Sequence, residues 1–277
     1  MHPIFNRKFV AVISLMMCID SRAAFSKPPV PANGGGLLTA GICRIESERS
    51  YKLSLQIALG ILGDQARKEL DRSIASIARM RQELSGLSDK SAKTSKALTR
   101  ANFALTDQID GLPKLTAANA GVMYDVNEDL LNKLNFLSFS LEVDASESSS
   151  RLAALALRQA SLAQRMAKII LLRSLDKSMA SKQGLQVDLN QSRIEFKNGL
   201  DLLTAEAESD KQLKARVEVA RGQWLFYESA LASMTNSAND LRSIATTSDR
   251  IAEQMIELVH LSYSMPIDKM NTARWQY

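Results

Sequence analysis

Arg44, Glu48, Arg49 and Lys52 are the first residues along this chain whose types and spacing can do chemistry. The Arg44 guanidinium is a rigid, planar fork of donors with a fixed charge, and it suits a planar oxyanion. Glu48 follows four residues later on the same helical face, so an ion pair between the two is the competing reading. Arg165 and Lys168 repeat the three-residue step of Arg49 and Lys52. At that step each pair can equally form a solvated helix face.

The other reactive side chains do not assemble into a catalytic or metal site. His260 has no Cys/His cluster to join, so a transition-metal site is not expected. The paired acids Asp125 and Glu128 fall on a helix expected to be exposed, with no nucleophile or glycine-rich loop near them in sequence. There is no phosphate-binding loop and no Gly-x-Ser-x-Gly elbow. The sequence therefore predicts no enzyme, no metal and no cofactor. Trp224, with Leu225, Phe226 and Tyr227, reads as an aromatic core anchor rather than a ligand platform.

The elements that must position these residues are helical. The two long stretches between Pro31 and Pro113 and between Pro113 and Pro266 lack proline, which permits long helices. Leu53, Ile57 and Ile61 form one apolar stripe, and Leu70, Ile74, Ile77, Leu84 and Leu87 another, mostly at three- and four-residue steps. Helices are predicted over about 38–62, 64–87, 94–109, 116–141, 151–177, 185–206, 210–235 and 236–263. Gly60, Gly63 and Asp64 mark the first turn, Ser88-Asp89-Lys90-Ser91 a polar break, and Gly111-Leu112-Pro113 another stop. Whether the Ser- and Glu-rich patch at Ser146–Ser150 interrupts a helix stays open at this level.

The amino terminus reads as a secretory signal: Arg7 and Lys8 precede the apolar run Phe9–Ile19, and Ser21-Arg22-Ala23 fits a small-x-small cleavage site. Residues 1–23 are thus expected to be a signal peptide and 24–37, with Pro28, Pro29, Pro31 and Gly34-Gly35-Gly36, a flexible linker. Met17 before Cys18 argues against lipidation. Export to a bacterial periplasm is expected, with no membrane-spanning segment after cleavage. Removing Arg7, Lys8, Asp20 and Arg22 lowers the formal charge from +5 to +3, too weak a bias for nucleic-acid binding. Cys43 is the cysteine left after cleavage, either a buried inert thiol or one available for an intermolecular bridge.

The chain also aligns with itself. Arg49-Ser50-Tyr51-Lys52 lines up with Arg165-Met166-Ala167-Lys168, Leu70 and Ile77 with Leu189 and Phe196, and Arg100-Ala101-Asn102-Phe103 with Arg221-Gly222-Gln223-Trp224. The expectation is an all-α antiparallel helical bundle built from two homologous halves, 38–145 and 146–277.

Ala40-Gly41-Ile42-Cys43-Arg44-Ile45-Glu46-Ser47-Glu48-Arg49-Ser50-Tyr51-Lys52 resembles the opening Ala-Gly-x-x-Arg-Met-x-Ser-x-Arg-x-x-Lys of the PilJ-type domain. That domain is the extracytoplasmic input module of type IV pili chemotaxis transducers and is similar to the sensor domain of NarX-type nitrate/nitrite kinases. The segment from Arg158 through Gln164, Arg165 and Lys168 resembles the same motif, closest in Gln-Arg-Met-Ala-Lys, and Phe196 and Trp224 sit where the family has aromatics. The resemblance implies a sensor-like bundle that binds a small anion such as nitrate at Arg44, near the seam of a homodimer, and addresses a membrane-bound signalling partner. The second half carries Ala160 at the Arg44 position and Leu157 at the motif glycine, so the resemblance confines anion binding to the first half and leaves Arg165 outside it. The signalling segments of a transducer are missing from the sequence. A non-catalytic scaffold of the bacterial envelope is therefore the alternative reading.

Overall fold

Helix α1 (Gly35–Leu59) is buried without interruption from Ile45 to Gln56, and this sets the architecture. A helix covered on every side must lie at the centre of a bundle. In the computed structural model, which describes residues 35–87, 90–144, 151–232 and 237–264, the second such helix is α5 (Arg151–Leu175), buried over most of 159–172. Around this pair stand α2 (Gly63–Ser85), α3 (Ala92–Gly111), α4 (Ala120–Asp144), the short α6 (Lys177–Ala180), α7 (Gln183–Ala207), α8 (Lys211–Ala232) and α9 (Ala238–Ser264). The fold is an all-α helical bundle, with no strand among the described residues.

The outer helices bury one face only. In α2 the buried positions are Ala66, Leu70, Ser73, Ile77, Met80 and Leu84, three or four residues apart, which is the stripe the sequence predicts. Helix α1 packs on α2, α4 and α5; α5 packs in turn on α7 and α9; α3 covers α4, and α8 covers α9. Arg49 reaches Glu69, while Ser73 reaches Glu46, so α1 and α2 are antiparallel. Gly41 instead faces Leu157, and Glu48 faces Arg165 and Lys168, so α1 and α5 run parallel and in register. A Cβ at Gly41 would lie 2.8 Å from Leu157 Cδ1. The leucine of one motif thus occupies the space left by the glycine of the other.

The helix ends follow local chemistry. The α1–α2 turn takes Gly60 and Leu62 through left-handed backbone, at φ 69° and 53°. Ser91 caps α3 by accepting from the Thr94 amide at 3.2 Å, and Asp210 caps α8 by accepting from Gln212 and Leu213. Several predicted boundaries need correction. Helix α1 begins at Gly35 rather than 38, taking Gly35–Leu37 out of the linker, because Leu38 is drawn into the core. Helix α4 begins at Ala120 rather than 116: Pro113 sits in a 3-10 turn, Leu112–Lys114, and the Thr116 amide donates to Asn119 Oδ1. The helix predicted over 151–177 stops at Leu175, where Asp176 starts α6 by accepting from Ser178. The signal peptide, most of the linker, Ser88-Asp89 and Ser146–Ser150 lie outside the described residues. No helix among the described residues is long and apolar enough to cross a membrane.

Candidate functional site

The basic motifs of α1 and α5 point inward rather than at solvent. Lys52 and Lys168 have no exposed surface. Lys52 Nζ donates to Asp249 Oδ1 at 2.6 Å, Ser248 Oγ at 3.1 Å and the Ala245 carbonyl at 3.2 Å, all on α9. Lys168 Nζ donates to Asn127 Oδ1 at 2.6 Å and Glu128 Oε1 at 2.8 Å, both on α4, and lies 2.5 Å from Glu48. Each lysine therefore crosses from its central helix to an acid on an outer helix, Lys52 to α9 and Lys168 to α4. The arginines follow suit: Arg49 pairs with Glu69 and Asp249, Arg165 with Glu128, Asp188 and Glu48. The reading of these four cations as a solvated face is corrected. Arg49, Lys52 and Lys168 are buried and Arg165 is mostly covered, and a buried cation needs a nearby carboxylate.

Two further expectations change for the same reason. Glu48 does not pair with Arg44, because the Lys168 ammonium lies against it in a dry interior where the nearest cation dominates. Glu128 is not on an open face; Arg165 closes on it with two 2.9 Å hydrogen bonds, and its side chain is about one quarter exposed. Burial pushes the Glu128 carboxyl up, but Lys168 and Arg165 together outweigh burial and hold it at about 2. Asp125 is exposed, as the sequence predicts.

With Glu48 taken, Arg44 has no hydrogen bond or ion pair among the described residues, and its Nε is buried. Burial and the neighbouring Arg158 draw its pKa down to about 10, so it stays charged at neutral pH. It lines a pocket of about 240 Å³ between α1, α4, α5 and α7, together with Arg158 and Arg165. Arg158 is closed by Glu195 through two hydrogen bonds, at 2.5 and 2.8 Å. Glu195 is held below the usual carboxylate range by those bonds.

The pocket therefore gathers Arg44 with two arginines from the second motif. Arg165 lines the same pocket as Arg44, where α1 meets α4, α5 and α7. Gln164 and Lys168 lie deeper: Gln164 donates to Asp249 at 3.0 Å. At the positions the self-alignment pairs with Arg44 and Arg158 stand Ala160 and Ile42, both buried and uncharged, so no matching arginine cluster forms on the opposite side of the α1–α5 seam. Asp188 and Glu195, and the pairing of Glu128 with Arg165, escape sequence reasoning, since each acid meets its arginine across helices. The burial of Lys168 had a signal, a lone charge inside the apolar run Met166–Leu172.

The remaining candidates resolve simply. Trp224 and Tyr227 are core residues: Trp224 stacks on Phe196 at 4.5 Å, and Tyr227 donates to the Ala163 carbonyl at 3.0 Å. Leu225 and Phe226 are exposed instead, as is Phe103, the residue aligned with Trp224. Cys43 is buried, and burial pushes its thiol up to about 12. His260 is half-buried, and no group of His, Cys, Asp and Glu among the described residues could hold a metal ion. Comparison of the chain with protein-family models, curated proteins and solved structures finds no match.

Proposed function

We propose that this chain is an exported, periplasmic ligand-binding bundle of the sensor type that recognises a small anion such as nitrate. It passes its state to a membrane-bound partner, as a monomer or homodimer. The observation that carries this reading is Arg44, half-buried with its Nε buried and without a partner, in a pocket where Arg158 and Arg165 converge. A charge held partly out of water and left unpaired costs stability, and an anion entering the pocket offsets that cost with charge-assisted hydrogen bonds. The test is a thermal-shift screen of the protein from Ala24 against a panel of anions. A ligand that binds only the folded state raises the melting temperature by mass action. Arg44→Gln should abolish the rise. No shift with any anion at millimolar concentration would remove this reading.

The scaffold reading draws on different residues. Leu225 and Phe226 are adjacent large apolar side chains, 67% and 77% exposed on α8, where they favour protein contacts. An envelope partner lost on Phe226→Ser while Arg44→Gln is silent would favour this scaffold.

A further inference from the structure

The pocket leaves a ligand one unpaired cation and one open carboxylate oxygen. One is the Arg44 guanidinium on α1. The other is Asp188 on α7: its Oδ2 accepts from the Tyr124 hydroxyl at 3.2 Å and faces Arg165 at 3.6 Å, whereas its Oδ1 has no hydrogen bond among the described residues. The other acids of the pocket are spent, because Glu195 and Glu128 each use both oxygens on Arg158 and Arg165. The Asp188 side chain is 44% exposed, so a ligand in the pocket can reach it.

Charge balance points the same way. Arg44, Arg158 and Arg165 are matched by Glu128, Asp188 and Glu195, so the lining is neutral as a whole. A bare anion turns a balanced, partly dry pocket net negative, and its attraction to Arg44 is opposed by Asp188. A ligand carrying both charges meets Arg44 and the open Asp188 oxygen and keeps the balance. The pocket volume of about 240 Å³ is also several times the ~30 Å³ share of one water, more room than a four-atom oxyanion fills.

We infer that the preferred ligand of this pocket is a small amino acid in its zwitterionic form, its carboxylate on Arg44 and its ammonium on Asp188. This rests on the anion-binding reading of Arg44 and names the ligand class for the same site. The carboxylate takes the donors that a simple oxyanion would take, and the ammonium donates to the Asp188 oxygen that Arg165 and Tyr124 leave open.

The experiment measures, by calorimetry on the chain from Ala24, amino acids against the same carboxylates without the ammonium: glycine with acetate, alanine with propionate, glutamate with glutarate, and nitrate alongside. At least one amino acid should bind about tenfold or more tightly than its partner, the increment of a charge-assisted hydrogen bond. Asp188→Asn should erase that advantage while leaving the carboxylate or nitrate bound at least as tightly as before, since the opposing charge is gone, which shows the pocket intact. Arg44→Gln should remove every ligand. If nitrate or carboxylates bind and no amino acid exceeds its partner, the zwitterion is wrong while the anion site stands. If the advantage survives Asp188→Asn, the assignment of Asp188 is wrong. Failure of every compound to bind overturns both readings.

Discussion

Replacing Lys168 with methionine isolates the buried charge cluster that joins the two central helices. The lysine has no exposed surface, and its partner Glu48 is 1% exposed. With the ammonium gone, Glu48 keeps only a 3.5 Å approach from Arg165, whose guanidinium is committed to Glu128. Cutting one member out of a buried pair leaves an uncompensated charge, a loss of about 3–5 kcal/mol. The neighbouring rings, 5.1 Å (Tyr124) and 5.9 Å (Tyr51) from the ammonium, lose their cation as well. For a bundle of this size the loss corresponds to a drop in Tm of roughly 6–20 °C. Urea titrations of the chain from Ala24 read the effect directly. Two further measurements distinguish an orphaned acid from lost packing. Glu48→Gln added to Lys168→Met should recover part of the stability, since the stranded charge is gone. Lowering the pH to about 5 should narrow the gap to the parent protein, because an unpaired buried carboxyl has a raised pKa and takes up a proton as the pH falls. A Lys168→Met protein within about 1 kcal/mol of the parent, or a double variant no better than the single, would refute the reasoning.

Three more expectations follow from the same geometry. Glu128 titrates at about 2 when folded against 4.5 for a free glutamate, so its contribution is full above about pH 4.5 and drains away as the pH falls towards 2; Glu128→Gln should be less stable at neutral pH and show a shallower acid limb in pH-dependent urea melts, and an unchanged limb would count against the Lys168 and Arg165 pairing. Gly41→Leu should overfill the α1–α5 seam at a cost of about 1–3 kcal/mol, and adding Leu157→Ala should give a protein more stable than the sum of the two single losses; strict additivity would mean that the helices are not in register there. Cys43 should be inert to Ellman's reagent at neutral pH in the folded chain from Ala24 and react on unfolding, because it is buried and its thiol is held up at about 12; rapid native labelling would contradict its placement.

The outer helices were legible because each buries one stripe against a wet opposite face, and a stripe is a one-dimensional pattern. Leu70, Ile77 and Leu84 could be assigned to the core from their spacing alone, and the Gly60 and Pro113 stops fell where backbone geometry requires them. The boundaries that slipped, at Gly35, Ala120 and Leu175, depend on whether an end is drawn into the core or capped by a side chain a few residues away. Helices α1 and α5 were harder. Glu46, Ser47, Glu48, Arg49, Ser50 and Lys52 look like a polar face in sequence and lie buried in the fold.

The sequence by itself determined that the chain is helical and where most of its helices lie, because proline placement and apolar spacing act within a single helix. It also marked Arg44, Arg158, Gln164, Arg165 and Lys168 as residues worth locating. Only the tertiary structure decided that α1 and α5 run side by side at the centre, that Lys168 takes Glu48 from Arg44, and that Arg44 is left unpaired beside Arg158 and Arg165. The reason is physical: which acid meets which base depends on distance in a low-dielectric interior, and those distances are set by helices far apart in the chain.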